Sequence, residues 1–187
     1  MKNTTSFLLI LSVIFISSCR KDKSETIVIK TGDKLGYYCN KIDSIAPRNT
    51  WYDSDSIDIN EDGKYDICLR VSSINAPSGH EYASRISIID TTFQFIVTSD
   101  SISPKILNIG DTIDNNKRWL YQPGFQLARD YCTWVNPSES LYLYWNQQTA
   151  YIGVRNEYKK GHYKFGWIKI SVESICFVKI YEYSYEK

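Results

Sequence analysis

The chain has 187 residues, with 22 basic against 21 acidic side chains and a formal net charge of +1 at pH 7. A charge so near zero provides no basic field for a polyanion, so nucleic acid is not an expected partner. With 43% hydrophobic residues, the length suits one domain with its own core and is short for two.

The first element is N-terminal. Lys2 provides a positive start, and Phe7 to Ile16 is an almost unbroken apolar run. A bilayer-spanning helix needs about 20 apolar residues, so this run fits the hydrophobic region of a signal peptide instead. It ends at Ile16-Ser17-Ser18-Cys19. An apolar residue, two small residues and then Cys resembles the lipobox of bacterial lipoproteins. That resemblance implies cleavage after Ser18 and lipidation of Cys19, so that acyl chains anchor the protein to a membrane. The alternatives are an ordinary secretory signal with a chance Cys, or a buried N-terminal strand. Loss of residues 1–18 removes Lys2 and no acid, leaving 21 basic against 21 acidic residues. Residues 19–25 then form the lipidated Cys and a short charged tether, and residues 26–187 a single domain.

No helical period follows. Short alternating or β-branched runs, rich in Tyr, Ile and Val and broken by turn residues, predict strands. They fall at 26–31, 65–74, 82–90, 92–99, 117–122, 141–146, 150–156, 161–172 and 175–186. In 65–74 the alternation puts Ile67, Leu69 and Val71 on one face and Cys68, Arg70 and Ser72 on the other. Asp90-Thr91 suggests a hairpin between 82–90 and 92–99. Gln147-Gln148-Thr149 suggests another between 141–146 and 150–156. Residues 33–57 have less pattern and read as a long covering loop. Regular short strands with frequent turns predict an all-β fold, an antiparallel, jelly-roll-like β-sandwich.

The sharpest chemistry lies in "DINEDGKYD", residues 58–66. Calcium takes six to eight oxygens, and a tight loop presents them from alternate positions. Asp58, Asn60 and Asp62 offer side-chain oxygens, Lys64 its backbone carbonyl, and Asp66 closes the set. Gly63 permits the sharp turn. An EF-hand would need Glu at the twelfth position, which here is Leu69, and flanking helices where this sequence predicts a strand. The stretch instead resembles the shorter calcium loops between strands of exported β-proteins, such as integrin-type propellers. That resemblance implies one structural calcium ion. A plain Asp-Gly turn is the alternative.

Four cysteines follow Cys19: Cys39, Cys68, Cys132 and Cys176. Outside the cytoplasm their even number suggests disulfides, with three connectivities open and free buried thiols as the alternative. Their wide spacing argues against zinc. Aromatic residues are plentiful. Trp51, Trp119, Trp134 and Trp145 are candidates for stacking on sugar rings, against the simpler reading of aromatic residues as good strand formers. Catalytic signals are thin. His80 and His162 have no G-x-S-x-G elbow to serve, and no carboxylate pair stands out.

"YIGVR" (151–155), "HYKFGWIKISV" (162–172) and "VKIYEYSYE" (178–186) resemble the closing strands of many secreted bacterial β-proteins. With Cys19 and the calcium-type loop, they resemble small exported lipoproteins of the Bacteroidota type. This implies a β-sandwich in the cell envelope, at the outer membrane or cell surface. The expected role there is that of a non-catalytic binding or structural module, with a glycan or another envelope protein as its expected partner beyond the membrane. A carbohydrate-binding module is the first alternative and a hydrolase the second. In the last strands, Gly166 lets Trp167 pack against a neighbouring backbone, and Trp167, Ile168 and Ile170 are core candidates.

Overall fold

The structure is a computed structural model that describes residues 27–39, 43–45, 52–76, 79–133, 141–143, 149–174 and 177–187. The strands in chain order are β1 (Ile29–Lys30), β2 (Tyr37–Cys39), β3 (Asp43–Ile45), β4 (Tyr52–Ile57), β5 (Ile67–Ala76), β6 (Gly79–Ile88) and β7 (Phe93–Ile96). After these come β8 (Thr112–Ile113), β9 (Trp119–Leu120), β10 (Phe125–Thr133), β11 (Leu141–Leu143), β12 (Thr149–Lys159), β13 (His162–Ser174) and β14 (Phe177–Tyr185). Among the described residues there is no helix. All strand pairs are antiparallel, and the fold is the β-sandwich that the alternating patterns predict.

One sheet has the order β11-β10-β6-β5-β4 and the other β2-β14-β13-β12-β7-β9, with β3 also paired to β14. Their facing sides share one core. Ile67, Leu69, Val71, Ile86 and Phe125 come from the first sheet, and Phe95, Ile152, Val154, Ile168 and Ile170 from the second. The pairing registers Leu69 against Ile86 and Ile152 against Ile168, so apolar stripes continue across neighbouring strands.

The larger sheet is also covered on its outer face. There Phe165, Trp167 and Tyr151 pack with Ile29 of β1, Ile113 of β8 and Leu107. β1 and β8 form a small separate ribbon over this face. β13 is therefore buried on both sides, which is why "FGWI" reads as a continuous apolar run rather than an alternating one. Trp167 and Ile168 are both core, but on opposite faces.

The predicted hairpins at 90–91 and 147–149 are corrected. β6 belongs to the first sheet and β7 to the second, and β11 and β12 are divided in the same way. The turn chemistry at Asp90 is real, since its carboxylate accepts from the Thr92 amide at 2.9 Å. What it turns is a crossing between layers. Ile86, Ile88, Phe93 and Phe95 all face one core from opposite sides, and alternation cannot distinguish the two sheets. Residues 33–57 are also corrected: they hold β2, β3 and β4, all on sheet margins.

Gly166 sits opposite Tyr185 in β14. A Cβ there would lie 2.6 Å from the Ser184 carbonyl oxygen and 2.7 Å from the Tyr185 ring. The close backbone approach is made at Gly166 itself, not by Trp167 beside it. Gly166→Ala must push β13 and β14 apart, and a loss of about 1–3 kcal/mol is expected in a denaturant titration, as for other overpacked cores.

Candidate functional site

The 58–66 stretch leaves edge strand β4 and enters central strand β5. Alternation carries through it. Ile59 points down and is fully buried in the shared core, while Asp58 and Asn60 are half-buried and Asp62 is exposed. The Tyr183 hydroxyl of β14 donates to the Asp58 carbonyl at 3.4 Å. The loop is thus attached to both sheets at its base.

Its carboxylates organise its own backbone. Asp58 accepts from the amides of Asp62 at 3.1 Å and Gly63 at 2.7 Å. Asn60 Oδ1 accepts from the Asp62 amide at 3.0 Å, and Asp62 from the Lys64 amide at 2.9 Å. Gly63 has a φ of +89°, as the tight turn requires. Glu61, at φ +57°, is also left-handed, a strained conformation for a residue with a Cβ.

Asp66 lies beneath this loop with no solvent exposure. Its Oδ2 accepts from the Ile59 amide at 2.9 Å, whereas its Oδ1 is buried without a hydrogen-bond partner. Burial is the main force pushing this carboxyl up to about 7. The charges of Asp58 and Asp62 add to the rise, while the amides of Ile59 and Asn60 oppose it. A buried acceptor without a partner is expensive, more so when charged. A proton on Asp66 relieves that cost, and so does a cation in the loop above it.

The donor set suits a hard cation: carboxylates, an amide oxygen and a backbone carbonyl, with neither sulfur nor imidazole. Among the described residues, however, no three His, Cys, Asp or Glu side chains converge closely enough to hold a metal by themselves. Asn60 and the Lys64 carbonyl are therefore needed to complete any shell. Asp53 and Asp55, just upstream, turn to their own strand, each accepting from the next residue's amide.

Beside the loop opens a cleft of about 310 Å³. Asn60 and Asp62 form one wall, and the β12–β13 hairpin with Glu186 forms the other. The core-facing stripe of β12 runs Ile152, Val154, Asn156 and Tyr158. It passes from the apolar core into this cleft, ending on an exposed tyrosine. Glu186 Oε2 accepts from the Phe165 amide at 2.7 Å, and burial raises its carboxyl above the usual range.

Trp119 is not an open stacking platform. Its Nε1 donates to the Asp114 carbonyl at 2.9 Å, its ring is tilted against Phe165, and the Arg155 guanidinium lies 4.8 Å from the ring centroid. Arg155 is in turn 4.0 Å from the Tyr163 ring and donates to Gln94 and Asn115. This arrangement pins the outer face of the larger sheet. Trp51, Trp134 and Trp145 lie outside the described residues, as do Cys19 and the signal segment.

Cys68 is a free, buried thiol, which for this residue favours the free-thiol alternative over the possible disulfide. Its Sγ donates to the Leu69 carbonyl at 3.4 Å. Cys176 and the side chains of Cys39, Cys132 and His80 lie outside the described set. His162 is exposed at the start of β13, its ring 6.1 Å from that of Tyr158. The sequence reading missed this cleft because it is lined by residues from four separate stretches. The one available signal was the change from apolar to polar along the inward stripe of β12. No protein-family model, curated protein or solved structure matches the chain.

Proposed function

We propose that this is an exported lipoprotein of the cell envelope, anchored through Cys19 at the outer membrane or cell surface. Its β-sandwich serves there as a non-catalytic binding or structural module stiffened by one calcium ion at residues 58–66. Asp58, Asn60 and Asp62 would hold the ion from above, the Lys64 carbonyl from the side and Asp66 from below. The observation that supports the calcium reading is the orphaned, buried Asp66 Oδ1 near the charges of Asp58 and Asp62. The bound ion would supply positive charge where the apo loop gathers negative charge, locking the turn between β4 and β5. The lipid anchor rests on the sequence of residues 7–19.

Thermal unfolding in EDTA and in calcium tests the metal. A ligand held only by the native state adds about 2.7 kcal/mol at a hundredfold excess over Kd. For a domain of this size that is roughly 5–10 °C in Tm. The rise should vanish in Asp62→Ala. Equal melting curves with and without calcium would reduce the loop to a turn.

A further inference from the structure

The cleft beside the loop has features that a structural calcium site does not need. The inward stripe of β12 and its neighbour β13 continues past the end of the hydrophobic core. It stays ordered there but changes chemistry to Asn156, Tyr158 and Lys164. Asn156 and Lys164 face each other in register. An unused end of a sandwich would need only solvated polar residues. Here the polar groups are instead fixed by the fold.

Asn156 Oδ1 accepts from the buried Tyr185 hydroxyl at 2.7 Å, which orients its amide. Glu186 is held by the Phe165 amide and cannot swing freely. The Lys164 ammonium lies over the Tyr158 ring, 5.2 Å from its centroid, and Tyr158 as a residue is 56% exposed. Orienting such side chains before binding removes part of the entropy cost of ligand capture. The volume, about 310 Å³, is at the lower end of small-ligand sites.

We infer that this cleft is a saccharide-binding subsite, in which one sugar ring takes the place over the Tyr158 ring that the Lys164 ammonium holds in the free protein, and its hydroxyls bond to Asn156, Glu186 and the displaced Lys164. The chemistry matches a neutral, hydroxyl-rich ring. A carboxylate and an ammonium offer an acceptor and a donor to neighbouring hydroxyls, and the aromatic ring, once the ammonium moves aside, takes the sugar's C–H side. A purely apolar ligand would strand three charged or amide groups, and a polyanion would meet Asp62 and Glu186. The subsite rests on the calcium reading only through Asn60 and Asp62, whose wall the ion would rigidify.

The test is saturation-transfer NMR on the purified protein with chitotriose, cellotriose and maltotriose as probes, each in calcium and in EDTA. At least one trisaccharide should bind in calcium, and Tyr158→Ala should weaken it at least tenfold. Glu186→Gln should weaken it several-fold. Tyr158→Ala should leave the calcium-dependent rise in Tm intact, because Tyr158 is no part of the metal shell. Absence of binding by all three sugars, or equal binding by Tyr158→Ala, overturns the subsite. Sugar binding without any calcium effect on Tm would sustain the subsite and sink the calcium reading. A calcium effect without sugar binding would do the reverse.

Discussion

Trp167→Ala is expected to lower the unfolding free energy by about 3–5 kcal/mol, the range for deleting a large buried aromatic side chain. Trp167 is only 1% exposed and meets Tyr151 edge-on, with ring centroids 5.3 Å apart. Its indole nitrogen donates to the Asp33 carbonyl at 2.9 Å, which ties the segment after β1 to the larger sheet. Removal leaves a cavity in the outer cluster and an acceptor without its donor. Domains of this kind are stable by about 5–15 kcal/mol, so the loss is a large share of the whole. Trp167→Phe separates the two effects: it should restore much of the packing while the Asp33 bond stays lost. Urea titration of both variants checks this. A Trp167→Ala loss below about 1 kcal/mol would mean that the outer layer contributes little to stability.

Asp66→Asn is expected to act with opposite sign in EDTA and in calcium. The folded state raises this carboxyl from 3.8 to about 7. The raised value means that the folded protein holds the proton more tightly than the unfolded chain does. That advantage is complete below about pH 4 and is lost as pH rises to about 7. In EDTA, wild-type stability should therefore fall across this window by at most about 1.4 kcal/mol per pH unit, then level off. Asn has nothing to titrate, so the variant should lack this slope and match or exceed wild type at pH 8. On the calcium site proposed above, calcium should reverse the order, because the ion would take the deprotonated carboxylate and stabilise wild type alone. Melts across pH 4–8, with and without calcium, give the answer. A wild-type curve in EDTA that is flat from pH 4 to 7 would show that Asp66 is not buried as a strained anion. Asn matching wild type in calcium would remove Asp66 from the shell.

The class of fold and much of one strand's detail were legible in the residues themselves. Ile67, Leu69 and Val71 are buried on one side of β5 as their alternation predicts. Gly166 makes the close approach expected of a glycine inside a strand. Which sheet a strand joins was not legible, because burial period is local and layer assignment is not. β10 escaped detection altogether. A bulge between Gln126 and Ala128 shifts its register, so Phe125, Leu127 and Ala128 are all buried and the period of two breaks. The metal loop was legible as a pattern of oxygen donors. The burial of Asp66 was not, because it depends on Ile59 filling the core on one side and β5 closing the other. The subsite cleft depends on packing between distant segments, and only Asn156 and Tyr158 hinted at it.

β14 pairs with β13 on one side and with both β2 and β3 on the other, matching Tyr185 to Tyr37 and Val178 to Ile45. The earliest and latest parts of the domain thus meet across a single strand. While residues 177–187 are still emerging from the ribosome, β2 and β3 have no sheet to join and β13 has an open edge. Those seams close over long stretches of chain, which is slow compared with the neighbouring hairpin of β12 and β13. Residues 37–39 and 43–45 therefore wait unpaired in that sheet until β14 has been made.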